Sequence, residues 1–345
     1  MSGRVDLLEH VRATLSQAGF DVSERCDLRP VSFDLVARRA KDLVMVKVLA
    51  NVDALSEASA QEIKVLCKFL GARPVLVGLR AGTGDLEAGV VYARHDIPIV
   101  RPETLEEYVL RGEQPMVFAA PGGLYVNLDA QALRQARERL NISLGVMAQM
   151  AGVSRRAIQM YEEGMSASID AAMRLEEFLE ADLIRPVDPF KSFDPEQFQP
   201  PKPKAAGNGA DPAEALVLRL LQGLGYEVRS TRRSPFNAIS TPTDPRAATA
   251  RPDPAASAAP EALLTGIGED SPQLRRRARV VTSVSRVTGR PGFFVVERTT
   301  RTHIEGMPVV TRTELRKLTD PDKILEMILE RSQQRRDGAA ESADP

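Results

Sequence analysis

Leu133-Arg134-Gln135-Ala136-Arg137-Glu138-Arg139-Leu140-Asn141-Ile142-Ser143-Leu144-Gly145-Val146-Met147-Ala148-Gln149-Met150-Ala151-Gly152-Val153-Ser154-Arg155-Arg156-Ala157-Ile158-Gln159-Met160-Tyr161-Glu162-Glu163-Gly164 is the stretch from which the rest of the chain is read. Asp129 stands where it caps a first helix through Leu140, with Leu133, Ala136, Arg137 and Leu140 on one stripe. Ser143 caps a second helix, Leu144 to Ala151. Gly152 and Val153 follow as a short turn in which glycine accepts a left-handed backbone. Ser154 caps a third helix, Arg155 to Glu163, and Gly164 stops it. A fourth, Ser168 to Leu179, offers Ala172, Leu175, Phe178 and Leu179 to a core. Ala148, Val153 and Ile158 are the small or branched residues that pack the second helix on the third.

The run L-R-x-x-R, S-x-x-x-x-A, A-G-V-S, an Ile four residues on, and Y-E-x-G, carried here by Leu133–Arg137, Ser143–Ala148, Ala151–Ser154, Ile158 and Tyr161–Gly164, resembles the Cro/lambda-repressor-like helix-turn-helix family. The resemblance implies a five-helix bundle whose third helix enters the major groove of double-stranded DNA. Arginine there pairs with O6 and N7 of guanine. By the same resemblance the contact residues are Ser154, Arg155, Arg156, Gln159 and Met160, with Arg134 and Arg137 beside them, and Tyr161 is either core or a phosphate contact. Replacing Arg155 is expected to relax preference at one base position. One position departs from the family: Leu144 stands where a glutamine often donates to a phosphate, so a helix N–H or a nearby arginine must serve. Five arginines against three glutamates between 131 and 165 make the segment modestly positive.

Upstream, Val5, Leu8, Val11, Leu15 and Ala18 fall at helical steps until Gly19. Short apolar runs at Phe20–Ser23, Phe33–Arg38 and Leu43–Leu49, a helix over 56–70, a buried strand over 74–78, another over 97–100 and a helix over 103–111 give an α/β pattern. Pro121-Gly122-Gly123 reads as punctuation before a purely helical region.

Downstream, seven prolines between 186 and 212 predict an extended or flexible linker. Beyond it the order of the first domain returns. Leu224-Gly225-Tyr226-Glu227-Val228 answers Gly19-Phe20-Asp21-Val22, and Pro235-Phe236-Asn237 answers Ser32-Phe33-Asp34. Arg290-Pro291-Gly292-Phe293 answers Arg73-Pro74-Val75-Leu76, and Met307-Pro308-Val309-Val310 answers Ile97-Pro98-Ile99-Val100. A degenerate duplication follows from this reading. A stretch rich in Pro, Ala and Thr interrupts the second copy.

The first domain looks like the restriction-endonuclease-like fold, whose active members hold Mg²⁺ with an Asp and a Glu/Asp-x-Lys. Asp34 and Lys47 fit that pattern, but Met45 occupies the carboxylate position, and a thioether is a poor ligand for a hard cation. The second copy has Asn237 and Leu264-Thr265-Gly266 at the matching places. Both are therefore read as non-catalytic, with Asp53 or Glu62 as the substitute carboxylates a divergent nuclease would need.

With 46 Lys and Arg against 47 Asp and Glu, no global basic coat draws the chain to nucleic acid, so affinity must be local. Cys26 and Cys67 have no thiol or histidine partner at metal-ligand spacing, His10, His95 and His303 are scattered, and no apolar run reaches membrane length. The expectation is a cytoplasmic, multidomain chain that needs no metal or other cofactor. It has an α/β domain over 1–120, an all-α lambda-repressor-like helix-turn-helix bundle over 121–184 and a proline-rich linker over 185–212. A second α/β domain over 213–330 carries a disordered insertion at 240–260, and a disordered tail covers 331–345. This architecture, with Val46-Lys47-Val48-Leu49-Ala50-Asn51-Val52-Asp53 among its pieces, resembles the archaeal family of HTH-type transcriptional regulatory proteins. The resemblance implies a sequence-specific DNA-binding regulator rather than an enzyme, acting on double-stranded DNA as a homodimer. The alternatives are a DNA-processing or repair protein with an inactive or divergent nuclease-like domain, and a helix-turn-helix that binds protein.

Overall fold

Leu7, Leu8, Val11 and Leu15 turn one face of the first helix inward, and Gly19 at φ 81° closes it. The computed structural model describes residues 3–26, 31–82, 84–202, 211–243 and 262–341, with side chains to 332. After α1 (Arg4–Gln17), strands β1 (Asp21–Val22), β2 (Leu35–Arg39) and β3 (Asp42–Asn51) follow. Ser56 caps α2 (Glu57–Leu70), Gly71 in the left-handed region ends it, and β4 (Arg73–Ala81) begins. Next come β5 (Gly84–Asp85), β6 (Val90–Arg94), β7 (Ile97–Val100) and α3 (Pro102–Glu106), which runs on as a π-helical turn to Arg111. The central region holds β8 (Val117–Ala120), β9 (Gly123–Leu128), α4 (Ala130–Arg139), α5 (Leu144–Ala151), α6 (Arg155–Glu162), β10 (Ala167–Ser168), α7 (Ile169–Leu179) and β11 (Ile184–Arg185). The remainder is α8 (Pro212–Gly223), β12 (Tyr226–Ser230), β13 (Ala238–Pro242), β14 (Leu263–Ile267), α9 (Pro272–Thr288), β15 (Gly292–Val296), β16 (His303–Ile304), β17 (Met307–Thr311), α10 (Arg312–Lys317) and α11 (Pro321–Glu341).

Two compact units result. The first comprises Met1–Ala18, Val48–Leu55 and Val75–Phe193. In it β4 and β7 are parallel with Leu76 opposite Ile99, β6 runs antiparallel to β7, and β6 pairs in parallel with β8 with Val90 opposite Val117. Strands β8 and β9 form a hairpin, and β9 receives β10 and β11. The Pro121-Gly122-Gly123 turn is therefore a hairpin apex, because Gly122 and Gly123 take φ values of 101° and 145° that a side chain resists. This corrects the purely helical expectation for 121–184. Among the described residues the bundle has four helices, not five, and after α7 Glu180 at φ 48° turns the chain into β11. The stretch read as a linker is packed at its start: Tyr108 donates to Asp188 at 2.7 Å, and the Tyr108 and Phe190 rings meet edge to face at 5.0 Å. Residues 203–210 lie outside the described residues.

The second unit comprises Gly19–Lys47, Ser56–Pro74 and Asp194–Pro345. It contains the antiparallel β1–β2–β3 pairing and a six-stranded sheet in the order β12-β13-β14-β15-β17-β16. In that sheet β12, β13 and β14 are antiparallel, β14, β15 and β17 are parallel, and β16 runs antiparallel to β17. Val217, Leu218, Leu221, Phe293, Val310 and Ile328 fill its core. The element order helix, three antiparallel strands, helix, strand is common to α1–β4 and α8–β15. One bond marks the register: the Asp34 amide donates to the Val46 carbonyl and the Asn237 amide to the Thr265 carbonyl, each at 2.8 Å. The contacts inside this unit are reciprocal. The Glu24 amide donates to Ser283 Oγ of α9 at 2.7 Å, and the Arg38 guanidinium to the Val287 and Thr288 carbonyls at 2.6 and 2.7 Å. In return the Arg233 amide and Ser234 Oγ both donate to Glu62 Oε1 of α2 at 3.0 Å, and Arg229 lies over the Phe69 ring.

Two expectations on the polar segments shift. Strand β13 extends through Pro242 into the insertion predicted over 240–260, and residues 244–261 lie outside the described residues. Helix α11 continues to Glu341 where a disordered tail was expected, anchored by buried Ile324 and Ile328 and by Arg331 on Glu314 at 2.6 Å. Residues 342–345 lie outside the described residues.

Candidate nucleic-acid interface

Each helix of the central bundle begins on a side-chain cap. Asp129 accepts from the Ala132 amide at 2.9 Å, Ser143 from Val146 at 3.3 Å, Ser154 from Ala157 at 3.1 Å and Ser168 from Ala171 at 3.4 Å. Gly152, at φ 69°, caps the end of α5 and sets the angle at which α6 leaves. Leu133, Met147, Ala148, Ala151, Ile158, Tyr161, Leu175 and Leu179 form one core. Tyr161 is 6% exposed, and burial raises its phenol above the usual range, so it is core.

With Ile158 and Tyr161 buried, α6 turns Ser154, Arg155, Arg156 and Gln159 to solvent, with Met160 half-buried at the edge. The structure brings these five sequence-predicted residues to one exposed helix. Gln159 donates to Glu163 at 3.2 Å. Among the described residues neither the Arg155 nor the Arg156 guanidinium has a hydrogen bond or ion pair. Asp129 does a second task. It binds Arg185 of β11 with both Nε and Nη2, and the amide and guanidinium donors hold its carboxyl below the usual aspartate range.

Arg134 and Arg137 are placed differently. Arg137 grips Glu162 with two bonds, Nε to Oε1 at 2.6 Å and Nη2 to Oε2 at 3.1 Å, and its side chain is only 18% exposed. The Glu162 hydrogen bond raises the Arg137 guanidinium above its ordinary value. Arg134 reaches the Glu162 carbonyl at 3.3 Å and remains half exposed. The Arg-x-x-Arg and Tyr-Glu pieces are thus two ends of one buried charge cluster that ties α4 to α6.

Sequence reading missed Gly145 in the first turn of α5. Of the heavy atoms around a Cβ built there, the three nearest all belong to the Arg155 guanidinium, at 2.9, 2.9 and 3.1 Å. The signal was an isolated glycine inside a helical pattern, a placement that lowers helix stability and usually has a local reason.

The nuclease-like position is closed. Asp34 is fully buried, with Lys47 Nζ 3.5 Å from its carboxylate, and Lys47 also donates to the Val31 carbonyl at 2.7 Å. Met45, at the place of the second carboxylate, faces Cys67, sulfur to sulfur at 3.9 Å. Burial pushes the Cys67 thiol up, which keeps it protonated. Glu62 is taken by Arg233 and Ser234, and Asp53 by Arg94 at 2.8 Å. These residues do not fit a Mg²⁺ ion: one carboxylate is neutralised by its own lysine and the next position is a thioether. In the second module Asn237 Oδ1 accepts from Arg277 and from the Ile267 amide. At Gly266, the position of Lys47, the Phe294 ring fills the space a side chain would need.

The chain is similar in sequence to known proteins. The helix-turn-helix family model matches residues 133–184, and the model of the PD-(D/E)XK superfamily domain matches residues 4–115. A protein of Halobacterium salinarum is 39% identical over 95% of this chain and 98% of its own length. One of Natronomonas pharaonis is 36% identical over 96% and 99%, and one of Methanococcoides burtonii 37% over 96% and 98%. Each is named "Putative HTH-type transcriptional regulatory protein". No solved structure matches the chain. At this identity along nearly the whole length, the chain belongs to the archaeal family of HTH-type transcriptional regulatory proteins.

Proposed function

We propose that the protein is a sequence-specific regulator of transcription that binds double-stranded DNA, with α6 in the major groove and α5 across the phosphate backbone. The observation that carries this reading is the α5–Gly152–α6 corner, in which one face of α6 is core and the other presents Ser154, Arg155, Arg156, Gln159 and Met160. Arg156 has the reach for a bidentate pair with guanine, Gln159 for adenine, and Met160 for a thymine methyl group. Arg137 serves by holding Glu162, and Arg134 stays available at the rim. The protein acts as a homodimer whose two recognition helices lie about 34 Å apart, one turn of B-DNA.

The two α/β modules are read as copies of one degenerate restriction-endonuclease-like fold, supported by their common element order and by the Asp34 and Asn237 amide bonds. In this reading they scaffold the helix-turn-helix and do not cut. The test is selection of genomic fragments by the purified protein at near-physiological salt, repeated with the Arg155→Ala/Arg156→Ala variant. A shared inverted repeat, absent from the variant's pool, is the expected result, and no enrichment by the wild type sinks the reading.

The PD-(D/E)XK match favours a second reading, a DNA-processing role. Mg²⁺-dependent nicking that vanishes in Asp34→Ala would establish it, and Met45 and the Asp34–Lys47 pair argue that none will be seen.

A further inference from the structure

Gly145 has no backbone reason to be glycine. Its φ is not in the left-handed region, it lies in the first turn of α5, and no core side chain is among the three atoms nearest its open Cα. Alanine would strengthen the helix. What the missing side chain leaves room for is Arg155, whose Nε and Nη2 lie 2.9 Å from where a Cβ would be. The guanidinium is thereby folded back from α6 onto the start of α5, and no acceptor among the described residues holds it there. In a helix-turn-helix the helix before the recognition helix crosses the sugar-phosphate backbone. At that crossing α5 offers Leu144, which has no side-chain donor, beside Gly145.

We propose that Gly145 is a positioning residue, a seat that keeps the Arg155 guanidinium against α5 and aims it at a backbone phosphate rather than at a base. The inference rests on the DNA-binding reading and refines it: base discrimination passes to Arg156 and Gln159, and Arg155 becomes a point of attachment that is blind to sequence.

The test compares wild type, Gly145→Ala, Arg155→Ala and the double variant on the duplex recovered by genomic selection and on a mixed-sequence duplex of about 30 base pairs, at several salt concentrations. Gly145→Ala is expected to melt no lower than wild type and yet to bind roughly fivefold more weakly at about 0.15 M salt on both duplexes, with the salt slope shallower by about 0.9. Arg155→Ala is expected to show the same signature with its base preference intact, and the double variant to bind as Arg155→Ala alone. If wild type binds and Gly145→Ala binds equally well, or if either substitution relaxes a single base position, the seat is overturned while the recognition reading stands. A wild type that binds neither duplex overturns both. Full affinity in Gly145→Ser would also count against the inference, since any Cβ must displace the guanidinium.

Discussion

Arg137 and Glu162 show how a residue assigned to DNA by pattern can be held by its own fold. Glu162 is 6% exposed and receives both arms of the guanidinium. Removing Arg137 leaves a desolvated carboxylate with only the longer contact to Arg134, at 3.7 Å. Arg137→Ala is expected to cost about 2–3 kcal/mol of stability, read by urea denaturation, and an unchanged midpoint would refute the cluster. The second module offers the opposite experiment. Arg277 is largely buried, burial lowers its guanidinium from the ordinary value against an opposing pull from the charge of Glu214, and the oxygens it donates to, on Pro235, Ile267 and Asn237, are all neutral. Asn237→Asp places a carboxylate on that cation and should raise the melting temperature. Gly266→Ala should lower stability by about 1–3 kcal/mol, because the Phe294 ring already fills the space. None of these pairings was legible in the sequence. Arg137 is read as a DNA contact because the sequence gives its place in the motif and not the depth of the carboxylate that meets it 25 residues later.

At the scale of elements, the caps Asp129, Ser143 and Ser154 and the Gly152 turn were legible, since capping is a local matter of one side chain and amides up to three residues on. The strands around them were not. Val117-Phe118-Ala119-Ala120 and Leu124-Tyr125-Val126 flank a turn signal, and a hairpin joins them, but a turn signal reads equally well as a boundary until its strands are paired. The pairing of β6 with β8 bridges Val90 and Val117, and nothing local encodes a parallel partner. Asp129 links the two kinds of information, capping α4 and holding β11 through Arg185. Its carboxyl titrates below the ordinary aspartate range, so the stability it contributes is complete above that range and is lost as pH falls through the lower native value. Asn also caps well but cannot hold Arg185 by charge. Asp129→Asn is therefore expected to melt below wild type at neutral pH, and the gap should begin to narrow as pH falls below the ordinary aspartate range and close below the lower native value. A gap constant with pH would dismiss the ionic role.

For the whole molecule, the shared order of helix, three strands, helix and strand was legible in the matched stretches, and its consequence was not. The contacts of the second unit join Gly19–Lys47 and Ser56–Pro74 to the chain after Asp194. Glu24, Arg38 and Glu62 each find partners more than 170 residues away. Such pairings depend on the shapes of both modules and leave no periodic mark. A chain ended at Phe193 is expected to lose hydrogen-exchange protection in α2 while keeping it in α4–α7, as read by mass spectrometry. Equal protection of α2 in both chains would show that the reciprocal contacts carry no stability.

The same interleaving sets a clock on synthesis. The helix α2 leaves the ribosome early, but the carbonyls and amides that meet its module arrive with residues 233 to 288. At about 5–20 residues per second, the early segments wait on the order of ten to forty seconds for their partners. During that interval Phe69 and its neighbours are uncovered, while the recognition helix, finished in the middle of translation, already has the whole of its own core. A nascent chain of this protein acquires its DNA-facing part before the scaffold around its first seventy residues has closed.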